Sequence, residues 1–275
     1  MTANITRAAA ARAGFYGARV NAMEKVGEVF LLRLGMLAQD DCGMFQSGDG
    51  GSSTPSTKPF SFAPGQWVDY YVPECDSVGG FSIVSSPDDL PNRLDLAIKF
   101  SSNSKVAQFI HHHQQVGDMV YLRSGGNVSW DAVSDPASSL LLAGGIGITP
   151  FLSMCSHLQN NIVKTNSRIA LVHSARRPEM NAYWLHHDLD QLKGNQQIMV
   201  DKVFTDGTGE GRIKEVSIER ALSFLRGEKG NENDAPEGPV RPFVCGPEGF
   251  VSAASSLLVD RFGFCEEDLM IEKWW

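Results

Sequence analysis

The chain has 275 residues, of which 42% are hydrophobic and 20% are charged, and its formal net charge is −8. This length and composition predict a globular protein of about two domains with enough apolar residues for its cores. The acidic balance argues against nucleic-acid binding, and no apolar run reaches the about 18 residues that a transmembrane helix needs.

Residues 1–22 differ in composition from the rest of the chain. They contain Arg7, Arg12 and Arg19 and many alanines, and the first acidic residue is Glu24. An arginine-bearing, acid-free start is typical of a mitochondrial transit peptide, and a short disordered tail is the alternative. We expect a transit peptide over residues 1–22 and a mitochondrial location, with a cytoplasmic location as the alternative.

Residues 24–135 show the pattern of short strands. The run "RLDLAIKF" alternates, with Leu94, Leu96, Ile98 and Phe100 on one face. "EVFLLRL", "QWVDYYV" and "FSIVSS" are further β-rich runs, and "KVAQFIHHHQQ" predicts one helix. The Gly/Ser-rich insert over residues 40–59 is typical of a mobile loop. This section predicts a small antiparallel β-barrel.

The pattern changes at residues 138–275, after a boundary predicted near 134–138. "SLLLAGG" is a continuous apolar run, typical of a strand buried on both faces of a parallel sheet. Strand and helix patterns then alternate, the helices including "AYWLHHDLDQLKG" and "GFVSAASSLLVDRFG". We predict an α/β domain with a five-stranded parallel sheet.

The stretch "LLLAGGIGITPFLSM" joins the first strand of that domain to its first helix. Gly144, Gly145 and Gly147 predict a tight turn, Thr149 a helix cap and Pro150 the first helical position. The helix start offers unpaired N–H groups and a positive dipole end, which suit a pyrophosphate. A tight turn without a ligand is the alternative.

The stretch "FVCGPEGFVSAA" forms a second strand–helix junction. Cys245 ends the strand and Gly246 and Pro247 turn the chain. The carboxyl ends of parallel strands converge where ligands bind, so we expect both junctions at one edge of the sheet. Taken alone, a buried strand-end cysteine is usually a small hydrophobe.

These two stretches resemble the NAD(P)H-binding half of the ferredoxin–NADP reductase superfamily. That superfamily carries A-G-x-G-I-T-P, then C-G-P, then an aromatic residue near the C-terminus, behind a flavin-binding barrel. The resemblance covers roughly residues 24–275. Through "PGQWVDYYVP", "VGGFSIVSSP" and "EKWW", the chain is most similar to mitochondrial oxidoreductase NAD-binding domain-containing proteins.

The resemblance implies an NAD(P)H-dependent oxidoreductase of the flavin reductase type. Hydride would pass from nicotinamide to FAD, and electrons would pass on to an unidentified acceptor, which a partner protein could be. It implies catalytic roles for Ser82, Cys245 and Glu272. The residues implied for NAD(H) or NADP(H) are Gly144, Gly145, Ile146, Gly147, Ile148, Thr149, Pro150, Ser174, Arg176, Cys245, Gly246 and Pro247. Those implied for FAD are Phe81, Ser82, Ser85, Lys99, Trp274 and Trp275.

The flavin signature of the superfamily, Arg-x-Tyr-Ser-x-x-Ser/Thr, is altered here to "GGFSIVS". Gly79 stands in place of the arginine that pairs with the flavin pyrophosphate, a strong charge-assisted contact. Lys99 or Lys105 would be the compensating cation. One alternative is therefore a non-catalytic NAD(P)-binding or redox-sensing protein that has lost flavin. Another is an electron-transfer subunit whose partner supplies an iron–sulfur centre.

Two features argue against a metal site. The five cysteines are at least 20 residues apart, so the chain has no C-x-x-C pair. His111, His112 and His113 would fan out by about 100° each around a helix and cannot converge on one ion. The terminal tryptophans, Trp274 and Trp275, are predicted either to cover the flavin or to fill a seam between the domains.

Overall fold

A computed structural model describes residues 14–38, 58–134, 138–176, 195–205, 213–227 and 239–273. The chain divides into two compact units, Met1–Asn127 and Val128–Trp275. The predicted helix "AYWLHHDLDQLKG", most of the Gly/Ser-rich insert and both terminal tryptophans lie outside the described residues.

The first unit contains a six-stranded antiparallel sheet in the order β4-β3-β6-β1-β2-β5. Its strands are β1 (Tyr16–Val26), β2 (Val29–Met36), β3 (Trp67–Val72), β4 (Ser77–Ser82), β5 (Leu94–Lys99) and β6 (Met119–Gly125). The two outer strands meet just past β4, where Ile83 pairs with Leu96 and the Val84 N–H donates to the Asp95 carbonyl over 2.9 Å. The sheet therefore closes on itself, which confirms the predicted barrel.

The barrel core contains the apolar residues predicted from "RLDLAIKF", but the burial of β5 does not alternate, because Asp95 and Ala97 on its other face are buried as well. Leu94, Leu96 and Ile98 are buried, whereas Phe100 lies past the strand and is exposed. The predicted helix is α1 (Lys105–His112), capped by the Ser104 hydroxyl, which accepts the Ala107 N–H over 3.1 Å.

The first strand begins earlier than the sequence predicts. β1 starts at Tyr16 and pairs with both β2 and β6, and Ala18 and Val20 on it are fully buried. The predicted leader over 1–22 and the predicted domain start at 24 therefore overlap this strand. Arg19 lies on the exposed face of β1, so an arginine that resembles part of a leader is a surface residue of the barrel.

The second unit contains a five-stranded sheet in the order β11-β10-β7-β8-β9, with every neighbouring pair parallel. Its strands are β7 (Ser138–Gly144), β8 (Ile169–Ala175), β9 (Ile198–Phe204), β10 (Val240–Gly246) and β11 (Met270–Lys273). Its described α-helices are α2 (Thr149–Asn160), α3 (Glu215–Arg226) and α4 (Glu248–Phe262). Every residue of β7 and β8 is buried, as continuous apolar runs predict for central parallel strands.

The boundary between the units falls between Asn127 and Val128, before the predicted position near 134–138. The intervening segment packs on the second unit. Trp130 and Ala132 are buried, and the Asp131 carboxylate accepts a hydrogen bond from His157 Nε2 on α2 over 3.1 Å. These contacts join residues that are distant in sequence, so the amino-acid composition does not change at the observed boundary.

Candidate functional site

The first junction of the second unit is a turn that runs from β7 directly into α2. A single turn of 3-10 helix covers Gly145–Ile148, and Gly145 adopts the left-handed φ of +56°. Pro150 is the second residue of α2, one position later than predicted, and the predicted cap role of Thr149 is wrong. Because the turn continues into α2 without a break, Thr149 is already helical, and its hydroxyl donates back to the Ile146 carbonyl over 2.9 Å.

The second junction lies directly against the first. β10 and β7 are neighbours in the sheet, and a Cβ added to Gly147 would lie 2.5 Å from the Cys245 carbonyl oxygen. A Cβ on Gly246 would lie 3.0 Å from the Gly144 Cα atom. Only glycine permits this approach of two backbones. The prediction that the two motifs meet at one edge of the sheet is confirmed.

The first turn presents backbone to solvent. Gly145 and Ile146 are half-exposed, and nothing lies within 4 Å of a Cβ built on Gly145. The first N–H groups of a helix have no intrahelical partner, and the helix dipole adds positive potential there. This arrangement, an open backbone at a helix start, fits the pyrophosphate of a dinucleotide.

The other predicted dinucleotide residues lie at the same edge. Ser174 is buried near the end of β8, in register with Gly144, and Arg176 follows the strand as an exposed residue. Cys245 is fully buried, and the Pro247 carbonyl accepts the Phe250 N–H at the start of α4 over 2.9 Å.

Glu272 on β11 carries an unusual carboxyl group. It lies in register with Cys245, and its Oε2 atom is buried with no hydrogen-bond partner in the part of the chain that the structure describes. Burial raises the pKa of the Glu272 carboxyl to about 7. A carboxyl with such a pKa can hold or release a proton near neutral pH, which is what a general acid or base requires.

His173 is a residue that the sequence reasoning missed. It lies on β8, is 1% exposed, and places Nε2 3.0 Å from the carbonyl oxygen of Gly145. The available signal was an imidazole that interrupts the apolar run "IALV" immediately before the predicted Ser174. Its contact with the turn depends on the pairing of β7 with β8, which the sequence pattern does not specify.

In the first unit, the position of the missing arginine is closed. A Cβ on Gly79 would lie 2.9 Å from the Phe81 ring and 3.0 Å from the Val106 Cβ atom. The half-buried Phe81 ring also packs edge-on against Tyr70, with ring centroids 5.9 Å apart. No side chain can be added at residue 79 unless Phe81 or Val106 moves, so this position offers no cation to a flavin pyrophosphate.

The other described residues predicted to bind FAD differ in whether their polar groups already bond to other residues. Ser82 is 4% exposed, and its hydroxyl has no hydrogen-bond partner among the described residues, which suits a polar atom of a ligand. The Ser85 hydroxyl accepts the Asp95 N–H over 3.0 Å, at the seam that closes the barrel. Lys99 Nζ lies 3.5 Å from the Glu28 carboxylate in an exposed pair. The fit to a flavin is therefore partial: Ser82 is suitable, and Gly79 is not.

The sequence predicts that the three adjacent histidines at the end of α1, His111, His112 and His113, do not bind a metal ion. Across residues 14–38, 58–134, 138–176, 195–205, 213–227 and 239–273, no three His, Cys, Asp or Glu side chains are grouped to hold a metal ion. His111 Nε2 instead lies 3.0 Å from the Ile98 carbonyl oxygen, and burial lowers the pKa of its imidazole. None of the described helices has the length and hydropathy needed to cross a membrane.

Comparisons with known proteins agree with this geometry. A family model described as an oxidoreductase NAD-binding domain matches residues 141–256. Oxidoreductase NAD-binding domain-containing protein 1 of Danio rerio is 31% identical over 243 residues, which are 78% of this chain and 82% of that protein. The protein of the same name from Homo sapiens is 30% identical, over 78% of this chain and 72% of its own length.

Among solved structures, the ferredoxin–NADP+ reductase of Plasmodium falciparum superimposes with a TM-score of 0.66. It shares 15% sequence identity, and the match covers 96% of this chain and 97% of that one. The likeness at this identity is one of fold, and it confirms the predicted succession of an antiparallel barrel and a parallel α/β domain.

Proposed function

The chain belongs to the family of oxidoreductase NAD-binding domain-containing protein 1, and on that premise we propose that it is an NAD(P)H-dependent oxidoreductase of the flavin reductase type. In such a reaction a bound nicotinamide dinucleotide supplies hydride to FAD, and the electrons pass to an acceptor, for which we propose a partner protein. The observation that carries the proposal is the contact of Gly147 with the Cys245 carbonyl, which builds a side-chain-free edge at the start of α2.

The dinucleotide would be held first through its pyrophosphate. The N–H groups at the start of the Gly145–Ile148 turn lie at the positive end of α2, where an anion is stabilised. Ser174 and Arg176 follow at the end of β8 and would contact the dinucleotide beyond the pyrophosphate. The exposed Arg176 guanidinium would meet either ribose hydroxyls or a 2′-phosphate, so the proposal holds for NADH and for NADPH.

Cys245 and Glu272 would act at the nicotinamide. The fully buried Cys245 side chain would line the ring pocket and exclude water from it. Glu272, in register beside it, would hold a proton near neutral pH because burial raises its pKa to about 7. Ser82 in the first unit would offer its unpartnered hydroxyl to a polar atom of the flavin ring.

FAD binding would have to proceed without a cation at residue 79. We propose that Ser82, ring contact with Phe81 and backbone N–H groups hold the flavin, and that Trp274 and Trp275 cover it. Lys99 is engaged with Glu28 and would contribute only if that exposed pair opened. Such a site has lost one of the stronger contacts to the flavin pyrophosphate.

A second candidate function is favoured by the closed position at Gly79. The chain would then be a non-catalytic NAD(P)-binding or redox-sensing protein that has lost flavin. Absorbance of the purified protein after incubation with FAD separates the two. A flavin spectrum that NADH bleaches supports the reductase, whereas NADH binding without any flavin spectrum supports the second candidate.

A pair of glycine variants tests the dinucleotide site. Gly145 and Gly27 have φ values of +56° and +60°, and nothing lies within 4 Å of a Cβ on either. Gly145→Leu and Gly27→Leu should therefore incur a similar conformational cost, roughly 1–2 kcal/mol. We expect only Gly145→Leu to weaken NADH binding, by tenfold or more in calorimetric titration. Equal NADH affinity in both variants would contradict the proposed site.

We propose a mitochondrial location, supported by Arg7 and Arg12 ahead of the first strand. Because β1 begins at Tyr16, a removable leader would have to end before that residue. A cytoplasmic location is the alternative.

A further inference from the structure

The hydrogen bond from His173 to the Gly145 carbonyl restrains the one glycine of the Gly144–Gly147 turn that close packing does not restrain. Gly144 and Gly147 are fixed by contacts, since a Cβ on either would lie within 2.6 Å of Phe250 or Cys245. Gly145 has no such contact, and a glycine can adopt many backbone conformations. Its carbonyl oxygen lies 3.0 Å from His173 Nε2. Since a carbonyl can only accept, this ring nitrogen carries the hydrogen.

Fixing the Gly145 carbonyl also fixes the next amide group. The Gly145 C=O and the Ile146 N–H belong to one planar trans peptide and point in opposite directions. With the carbonyl directed at the buried imidazole on β8, the Ile146 N–H points away from β8. This N–H lies in the first turn of the helical segment, where it has no intrahelical partner, and Ile146 is half-exposed.

We propose that His173 is a positioning residue of the dinucleotide site, which aims the Ile146 N–H at the pyrophosphate by holding the Gly145 carbonyl. His173 touches no ligand in this role, because it is 1% exposed and lies beneath the turn. The inference rests on the proposed function, since it requires that the turn binds a pyrophosphate. Loss of the imidazole donor would let the Gly145–Ile146 peptide rotate and withdraw one hydrogen bond from the bound anion.

The test compares His173→Gln with His173→Leu in the full chain. The side-chain amide of glutamine places a nitrogen donor close to the position of Nε2, whereas leucine has no donor. ADP-ribose, which contains the pyrophosphate, and adenosine, which lacks it, are titrated by calorimetry. We expect His173→Leu to bind ADP-ribose about tenfold more weakly, as for one hydrogen bond to a charged group. His173→Gln should stay within about threefold of wild type, and adenosine affinity should be unchanged in both.

The outcomes separate this inference from the proposed function. Wild-type protein that fails to bind ADP-ribose would overturn both. If Gly145→Leu abolishes ADP-ribose binding and His173→Leu leaves it unchanged, only the role of His173 is wrong. Equal losses for ADP-ribose and adenosine would indicate a structural role and overturn the proposal. If His173→Leu does not fold, His173→Asn replaces it, because its amide nitrogen matches Nδ1 rather than Nε2. Equal ADP-ribose affinity in the asparagine and glutamine variants would then overturn it.

Discussion

Replacing Glu272 by glutamine should change how the stability of the protein depends on pH. The usual pKa of a glutamate is 4.5, and burial on β11 raises that of Glu272 to about 7. The folded state therefore binds this proton more tightly than the unfolded state. Its stabilising contribution is complete below about pH 4.5 and is lost as the pH rises towards and beyond 7. The pKa difference of about 2.5 corresponds to about 3 kcal/mol.

Urea unfolding of wild type and Glu272→Gln at about pH 5, 6, 7 and 8 measures this contribution. Wild type should lose about 2.5 kcal/mol relative to Glu272→Gln between pH 5 and pH 8, because part of the contribution is already lost at pH 5 and glutamine does not titrate. Glu267→Gln, at an exposed residue of the neighbouring turn Glu266–Asp268, is the matched control and should follow wild type. A free-energy difference between wild type and Glu272→Gln that stays constant with pH would refute the assignment of a buried, unpartnered carboxyl.

Gly147→Ala should destabilise the second unit by about 1–3 kcal/mol, because the alanine methyl group would lie 2.5 Å from the Cys245 carbonyl oxygen. Denaturant unfolding measures this loss of stability. Unchanged stability would contradict the close approach of the Gly147 and Cys245 backbones. Ser82→Ala should leave the flavin-free protein equally or slightly more stable, since its buried hydroxyl has no partner among the described residues, and should weaken FAD binding in a fluorescence titration. Deletion of residues 1–13 should remove a fluorescent fusion of the protein from mitochondria and leave the barrel folded, as measured by circular dichroism. Deletion of residues 1–22 should unfold the barrel, because it removes part of β1. Equal folding of the two truncated proteins would argue against the position of β1.

The elements that the sequence predicts well are those whose pattern is set by local burial. β7 and β8 carry apolar runs because both faces of a central parallel strand are covered, and β5 places its alternating apolar residues Leu94, Leu96 and Ile98 on the face that lines the barrel core. β1 fails this test. It alternates buried Ala18 and Val20 with the exposed Arg19, and small apolar residues interspersed with arginine are also typical of a leader.

In the candidate site, too, some features follow from the sequence pattern and others depend on the three-dimensional structure. The glycine spacing and the order of the two motifs predict the paired turns, because close backbone approach can be satisfied by glycine alone. Two details depend on contacts between residues distant in sequence. His173 reaches Gly145 across 28 residues, and the Val106 side chain on α1 closes the space beside Gly79. The sequence shows that an arginine is missing at residue 79, whereas only the structure shows that its place is filled.

The central position of β1 has a consequence for how the chain folds during synthesis. β1 lies between β2 and β6, and its pairing with β6 joins Tyr16 to Leu122, residues about one hundred apart in sequence. Contacts of such long range are slow to form, because the loop must close before any of them is gained. One edge of β1 therefore stays unpaired until β6 has been made, and an unpaired strand edge is a template for aggregation. The incomplete barrel is therefore open to association through this edge while the chain is being made.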